Sequence, residues 1–160
     1  MRGGAWAVLI GAILLLPSEA AAQRRTQEGI FSMPFQAGPR SGRNFENNSW
    51  MVGGQLAASL GKTLELRPSG DMYLKRGEKM AWQLNGDAAI RFGDDGSFYA
   101  GGGIAWLHPP DVDPQTGYNV FLGLNSAAPW EKARGFIEGR WTHVNDNTAF
   151  QLVFGVLYRL

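Results

Sequence analysis

The chain of 160 residues contains no cysteine. Disulfides, thiolate metal centres and cysteine nucleophiles are therefore excluded. Charge is scarce as well: Asp, Glu, Lys and Arg make up 18% of the residues and sum to a formal net charge of +1. Nucleic-acid binding needs a clustered basic surface, so nucleic acid is not an expected partner. No apolar run reaches the roughly 20 residues that a helix needs to cross a bilayer. The longest, Ala5 to Leu16, stops short of that, and no later stretch shows a helical period. Histidine is limited to His108 and His143, which leaves few candidates for a catalytic base.

The N-terminus has the organisation of a secretory signal. Arg2 supplies the positive end, Ala5 to Leu16 the apolar segment, and Ala20-Ala21-Ala22 the small-residue cleavage site. Residues 1–22 are expected to be removed, with Gln23 opening the mature chain, and 23–29 are read as a loose polar segment. No cysteine follows the cleavage site to carry a lipid. With no helical span left, a membrane-embedded mature chain would have to be a closed barrel, because only helices and barrels satisfy their backbone groups in lipid.

The mature chain alternates in polarity with a period of two, the signature of strands with one apolar and one wetter face. The clearest case is Thr148 to Leu160, where Phe150, Leu152, Phe154, Val156, Tyr158 and Leu160 oppose Ala149, Gln151, Val153, Gly155, Leu157 and Arg159. The same rhythm runs through Trp50–Leu60, Leu64–Leu74, Met80–Phe92, Phe98–Trp106, Tyr118–Leu124 and Ala133–His143. Turn residues separate these segments, Gly93-Asp94-Asp95-Gly96 among them. An eighth strand is expected at Ile30–Ala37 despite Pro34, since single-chain membrane barrels have even strand numbers. The predicted fold is all-β: one eight-stranded antiparallel up-and-down transmembrane barrel over residues 30–160.

Alternation alone does not say which face is inside. A lipocalin-like soluble barrel buries its apolar face, and a membrane barrel turns it outward. Three features favour the membrane arrangement. On eight antiparallel strands, the apolar-face aromatics Trp50, Trp82, Trp106, Tyr118 and Trp141 all fall at one rim, as expected of residues at a membrane–water boundary. The polar face carries Glu65, Arg67, Asp71, Asp87, Arg91, Glu138 and Arg140, charges of both signs suited to a packed lumen. Folding 64–74 onto 80–92 about Gly77 sets Arg67 opposite Asp87. Finally, the longest connections, Gly38–Ser49 and His108–Gly117, are both assigned to the Trp-rich rim.

The segment Val153–Leu160, with Gly155, Tyr158 and Leu160, resembles the C-terminal insertion signal of bacterial outer-membrane proteins. It differs in having Val153 where a polar residue is usual and Leu160 where Phe is usual. Phe136-Ile137-Glu138-Gly139-Arg140-Trp141 is similar to the penultimate strand of small outer-membrane barrels of the OmpX and OmpA type. Leu64–Leu74 and Tyr99–Ile104 resemble other segments of that group. The resemblance implies location in the bacterial outer membrane, surrounding lipid as the immediate partner, and insertion by the barrel assembly machinery. It leaves the partner of the surface loops open.

No cofactor or metal is expected. Asp111-Val112-Asp113 begins like a calcium loop, but Thr116 and Leu122 stand where Gly and Glu are required. Gly101-Gly102-Gly103 lies within a strand and reads as relief of crowding. Barrel enzymes that trim lipid A use a His followed two residues later by Ser. Here His143 is followed by Val144-Asn145 and His108 by Pro109-Pro110. The expected function is a non-enzymatic outer-membrane barrel with a plugged polar lumen and a structural, adhesive or envelope-maintenance role. The alternatives are a soluble secreted or periplasmic barrel binding a small apolar ligand, and a lipid A-modifying barrel enzyme. On this reading Leu84→Arg blocks insertion and Asp87→Ala is the milder change.

Overall fold

The computed structural model describes residues 35–93, 96–126 and 132–160. The expected signal segment, the loose linker and residues 30–34 lie outside the described residues. Period-two sequences rich in aromatic and β-branched residues cannot bury one face alone. Here they pair side to side until the sheet closes.

The strands are β1 (Phe35–Asn44), β2 (Ser49–Leu60), β3 (Leu64–Leu66), β4 (Ser69–Leu74), β5 (Ala81–Phe92), β6 (Phe98–His108), β7 (Gln115–Asn125), β8 (Ala133–Val144) and β9 (Asn147–Arg159). β3 and β4 are one strand interrupted at Arg67-Pro68. They share a single register against β2, from Leu60↔Leu64 to Trp50↔Leu74. Pro68 has no N–H to donate, yet Leu56 N still bonds Pro68 O at 2.9 Å and Arg67 N bonds Asp87 O at 2.9 Å. Eight antiparallel staves result, and β1 pairs with both β2 and β9, so the barrel has no free edge. Gly77, at φ +79°, takes the left-handed turn position between β4 and β5. The register about it is the expected one, with Asp71 opposite Gln83 and Ser69 opposite Asn85.

The first strand extends further along the chain than the sequence suggests. Residues 35–37 of the expected Ile30–Ala37 fall in β1, which continues to Asn44. Pro39 and two glycines made 38–44 read as loop. In the structure the β1–β9 pairing steps over Gly38 and Pro39 and resumes at Arg40↔Gly155. At Gly42 a side chain would meet the Met51 side chain at 3.1 Å. The expected long first loop is therefore only 45–48, and the connection at 109–114 is likewise shorter than the expected His108–Gly117. The Trp-rich rim carries 45–48, 75–80, 109–114 and 145–146. The two connections expected to be longest are thus no longer than 75–80 at the same rim.

Candidate functional site: a sealed polar lumen in an apolar wall

Strand parity sends every second residue inward. Arg40 comes from β1, Gln55 from β2, Glu65 from β3, Asp71 and Tyr73 from β4, and Gln83, Asn85, Asp87 and Arg91 from β5. Tyr99, Asn119 and Phe121 follow from β6 and β7, Arg134, Glu138, Arg140 and Thr142 from β8, and Gln151 from β9. Most are buried, and the side chains of Arg40, Arg67, Asp71, Asp87, Glu138 and Arg140 have relative exposures of 0 to 1%. A charge taken out of water is tolerated only when paired and hydrogen-bonded. These side chains form such a network.

Arg40 grips Asp71 with two nitrogens, Nε lying 2.7 Å from Oδ1, and Nη1 donates to Gln55 Oε1 at 3.0 Å. Asn85 Nδ2 donates to the same carboxylate at 3.1 Å. Asn119 Nδ2 donates to Asn85 at 2.9 Å and to Asp87 at 3.1 Å, joining this group to the next. Arg140 Nη2 lies 2.7 Å from Asp87 and 2.9 Å from Glu138. Glu138 also receives Arg67 at 3.3 Å and the Tyr99 hydroxyl at 3.1 Å. Glu65 collects Arg134 at 3.1 Å, Arg67 at 3.4 Å and Arg91 at 3.7 Å.

Arg67 and Arg140 each keep guanidinium nitrogens without a hydrogen-bond partner, and aromatic rings support both groups. Arg67 lies 4.2 Å from the Tyr99 ring centre and 5.2 Å from that of Phe136, and Arg140 lies 4.7 Å from that of Phe121. Inward glycines make room for these rings. A Cβ at Gly155 would sit 2.7 Å from Phe136 Cε1, and one at Gly101 2.6 Å from Phe121 Cζ.

All seven charged residues singled out from sequence face this lumen, but their partners differ from those that strand adjacency suggests. Arg67 does lie opposite Asp87 through the backbone bond, yet its ion pairs are to Glu65 and Glu138, while Asp87 pairs with Arg140. Arg40 was missed because its segment read as loop. Tyr73, Asn85, Asn119 and Gln151 lay on the polar face and went unremarked because they carry no charge. Their period-two position was the available signal.

The outer wall is the opposite in character. Leu56, Met72, Leu84, Ile90, Ile104, Val120, Leu122, Ile137, Leu152 and Phe154 are all exposed. Among the described residues, Arg43 is the one formally charged side chain at an outward strand position. It sits next to the end of β1, 4.9 Å from the Trp50 ring centre, and bonds Asn48. Trp50, Trp82, Trp106, Tyr118 and Trp141 point outward near one rim, and Phe92, Phe98 and Tyr158 near the other. Trp82 meets Trp106 edge-on at 5.5 Å and stacks on His108 at 4.8 Å. His143 lies 4.9 Å from Tyr118, and its Nδ1 is 2.8 Å from Thr148 Oγ1. Both histidines thus belong to the outer wall. Among the described residues no cluster of His, Asp and Glu could hold a metal ion.

No family model and no curated protein matches the chain. Solved structures do. The N-terminal β-barrel domain of Pseudomonas aeruginosa OprF superposes with a TM-score of 0.68 at 18% identity, covering 79% of this chain and 96% of that one. Neisserial surface protein A gives 0.60 at 12%, covering 80% and 97%. A de novo designed transmembrane β-barrel gives 0.56 at 11%, covering 79% and 95%. The fold is that of the small eight-stranded barrels the sequence resembles.

Proposed function

We propose that the mature chain is an integral barrel of the bacterial outer membrane, with a closed polar lumen and no catalytic role. It serves as a structural, adhesive or envelope-maintenance element. One observation carries this reading: a wall of exposed apolar side chains, free of charge between its rims, encloses a lumen filled by ion pairs. Soluble monomers rarely expose contiguous apolar patches beyond a few hundred Å². In lipid that wall is the favoured surface, and each stave, with β3 and β4 counted as one, has about the length needed to cross. The soluble alternative requires an apolar cavity, whereas the described lumen holds Arg40, Arg67, Glu138 and Arg140.

The outward aromatics near the two rims would mark the membrane boundaries. Residues 1–22 would direct export, and the segment ending in Gly155, Tyr158 and Leu160 would be read by the assembly machinery. The comparison with barrel domains and a surface protein supports a non-enzymatic role. So does the position of both histidines on the outer wall, His108 stacked on Trp82 and His143 packed against Tyr118, with no carboxylate partner among the described residues.

The test is fractionation of expressing cells with gel migration before and after boiling. The expected result is detergent-dependent recovery from the outer membrane and faster migration of the unboiled protein. Recovery in the soluble periplasmic fraction without detergent would overturn the membrane reading. A lipid A profile altered by overexpression would overturn the non-enzymatic one.

A further inference from the structure

The lumen network does not account for Arg43. This arginine points outward on β1, opposite Trp50 on β2 and Leu152 on β9. The register sets it level with the Trp-rich rim, where lipid headgroups meet water. One step nearer the middle of the barrel, Val52 and Phe154 flank Ser41, and both are exposed and apolar. A cation in such a place is tolerated when it reaches the boundary and finds a counter-charge there.

The guanidinium is held but not neutralised. Its Nη2 donates to Asn48 Oδ1. Asn48 has φ +56°, the left-handed region that Asn enters more readily than most residues, and the 45–48 turn thereby presents its side chain to Arg43. The Trp50 ring covers the guanidinium, its centre 4.9 Å from Cζ. Nε and Nη1 make no hydrogen bond to a described residue, and neither is walled off from the surroundings. No carboxylate pairs with Arg43 among the described residues. Glu46, the carboxylate nearest along the chain, lines the mouth of the lumen instead.

We infer that Arg43 binds the phosphate of an anionic lipid headgroup through its open N–H groups, with the acyl chains laid over Val52, Leu152 and Phe154. This rests on the membrane reading of the wall. Three features select the chemistry. Phosphate is the anion that a bilayer places at the level of an aromatic girdle, and a guanidinium pairs with it through charge-assisted hydrogen bonds. Asn48 and Trp50 fix the group before any lipid arrives, so little side-chain freedom is lost on binding. The neighbouring rim cations have partners of their own, Lys75 with Glu78 at 2.6 Å and Lys79 with Asp111 at 2.6 Å, so Arg43 stands out as an unmatched outward charge on this wall. A zwitterionic headgroup carries its own ammonium beside the phosphate and is the weaker match.

The test is NMR of the mature chain in dodecyl maltoside, a detergent without charge or phosphate, following the Arg43 Nε–H and Trp50 indole N–H signals. Phosphatidylglycerol is added at rising mole fraction, and phosphatidylcholine and inorganic phosphate are added in separate titrations. Phosphatidylglycerol should shift both signals saturably, with a midpoint about fivefold to tenfold below that of phosphatidylcholine, the effect of one arginine at an anionic surface. Inorganic phosphate at the same bulk concentration should shift neither. Arg43→Gln should abolish the lipid preference read at Trp50. Arg43→Lys keeps the charge without the planar stacking on Trp50, so it should lose most of that preference, whereas simple attraction to a charged micelle would survive the exchange. Asn48→Gly suits the left-handed turn and removes the acceptor, and should raise the midpoint. Equal midpoints for the two lipids, a preference that persists in a folded Arg43→Gln barrel, or saturation by inorganic phosphate alone would each overturn the inference. Gel migration before and after boiling identifies the folded variants. A detergent-dependent, folded barrel with no lipid preference would refute this site alone, whereas a chain soluble without detergent would refute the membrane reading beneath it.

Discussion

The Arg40–Asp71 pair offers the cleanest measurement of what the lumen network contributes. Both side chains are essentially inaccessible to water, with relative exposures of 0% and 1%. Arg40 has one other partner, Gln55, and Asp71 one other, Asn85. Replacing Arg40 by Met strands a carboxylate with a single neutral donor. Replacing Asp71 by Asn strands a guanidinium with a single neutral acceptor. Breaking a buried pair from one side costs about 3–5 kcal/mol, whereas removing both charges together is often near neutral. Each single variant should therefore lose about 3–5 kcal/mol. The double variant should lose about 1 kcal/mol, leaving a coupling of several kcal/mol. Reversible urea unfolding in lipid vesicles, followed by tryptophan fluorescence, reads all four corners of the cycle. Two single losses that add to within about 0.5 kcal/mol in the double variant, the behaviour of independent sites, would show that the two charges do not depend on each other.

Asp87→Ala, which the sequence alone ranks below Leu84→Arg in cost, should itself cost about 3–5 kcal/mol in the same assay, because it leaves buried Arg140 with Glu138 as its one carboxylate partner among the described residues. For the lipid-facing wall, the sharper probe than Leu84, which lies near the Trp-rich end of β5, is Val120→Arg at the centre of β7. It should cost roughly 2–4 kcal/mol and reduce folding into vesicles, and unchanged folding would contradict a lipid-facing wall. Gly155→Leu should lower the urea midpoint by the equivalent of about 1–3 kcal/mol through overpacking against Phe136. An unchanged midpoint with poor cellular insertion would show that Gly155 acts only as an assembly signal. In planar bilayers the protein should show no steady conductance, and a stable open level would refute a filled lumen.

Seven of the eight staves follow from alternation alone, because an apolar face and a polar face leave an imprint on every second residue. The register of the β4–β5 hairpin was also legible, since a tight turn at Gly77 fixes it. Two things were not. The first stave was hidden by Gly38, Pro39 and Gly42, which are turn-formers in isolation but are tolerated here where the ladder to β9 is interrupted and the lumen is crowded. The second was the pairing of charges. Adjacency along the sheet put Arg67 beside Asp87, but long side chains in a narrow barrel reach across it, and which carboxylate they meet depends on closure. The loop lengths misled for the first reason: once Arg40 belongs to a strand, no long first loop remains.

That reach across the lumen bears on how the barrel forms. Arg67 and Glu138 are separated by 71 positions, and Arg134 and Glu65 by 69. Neither bond joins neighbouring staves. An incomplete sheet would hold these charges without partners in a setting that penalises them. Such an intermediate gains little from adding one strand at a time and much from the last. The network therefore favours completion: the penalty on its charges is lifted only in a sheet that has closed on itself.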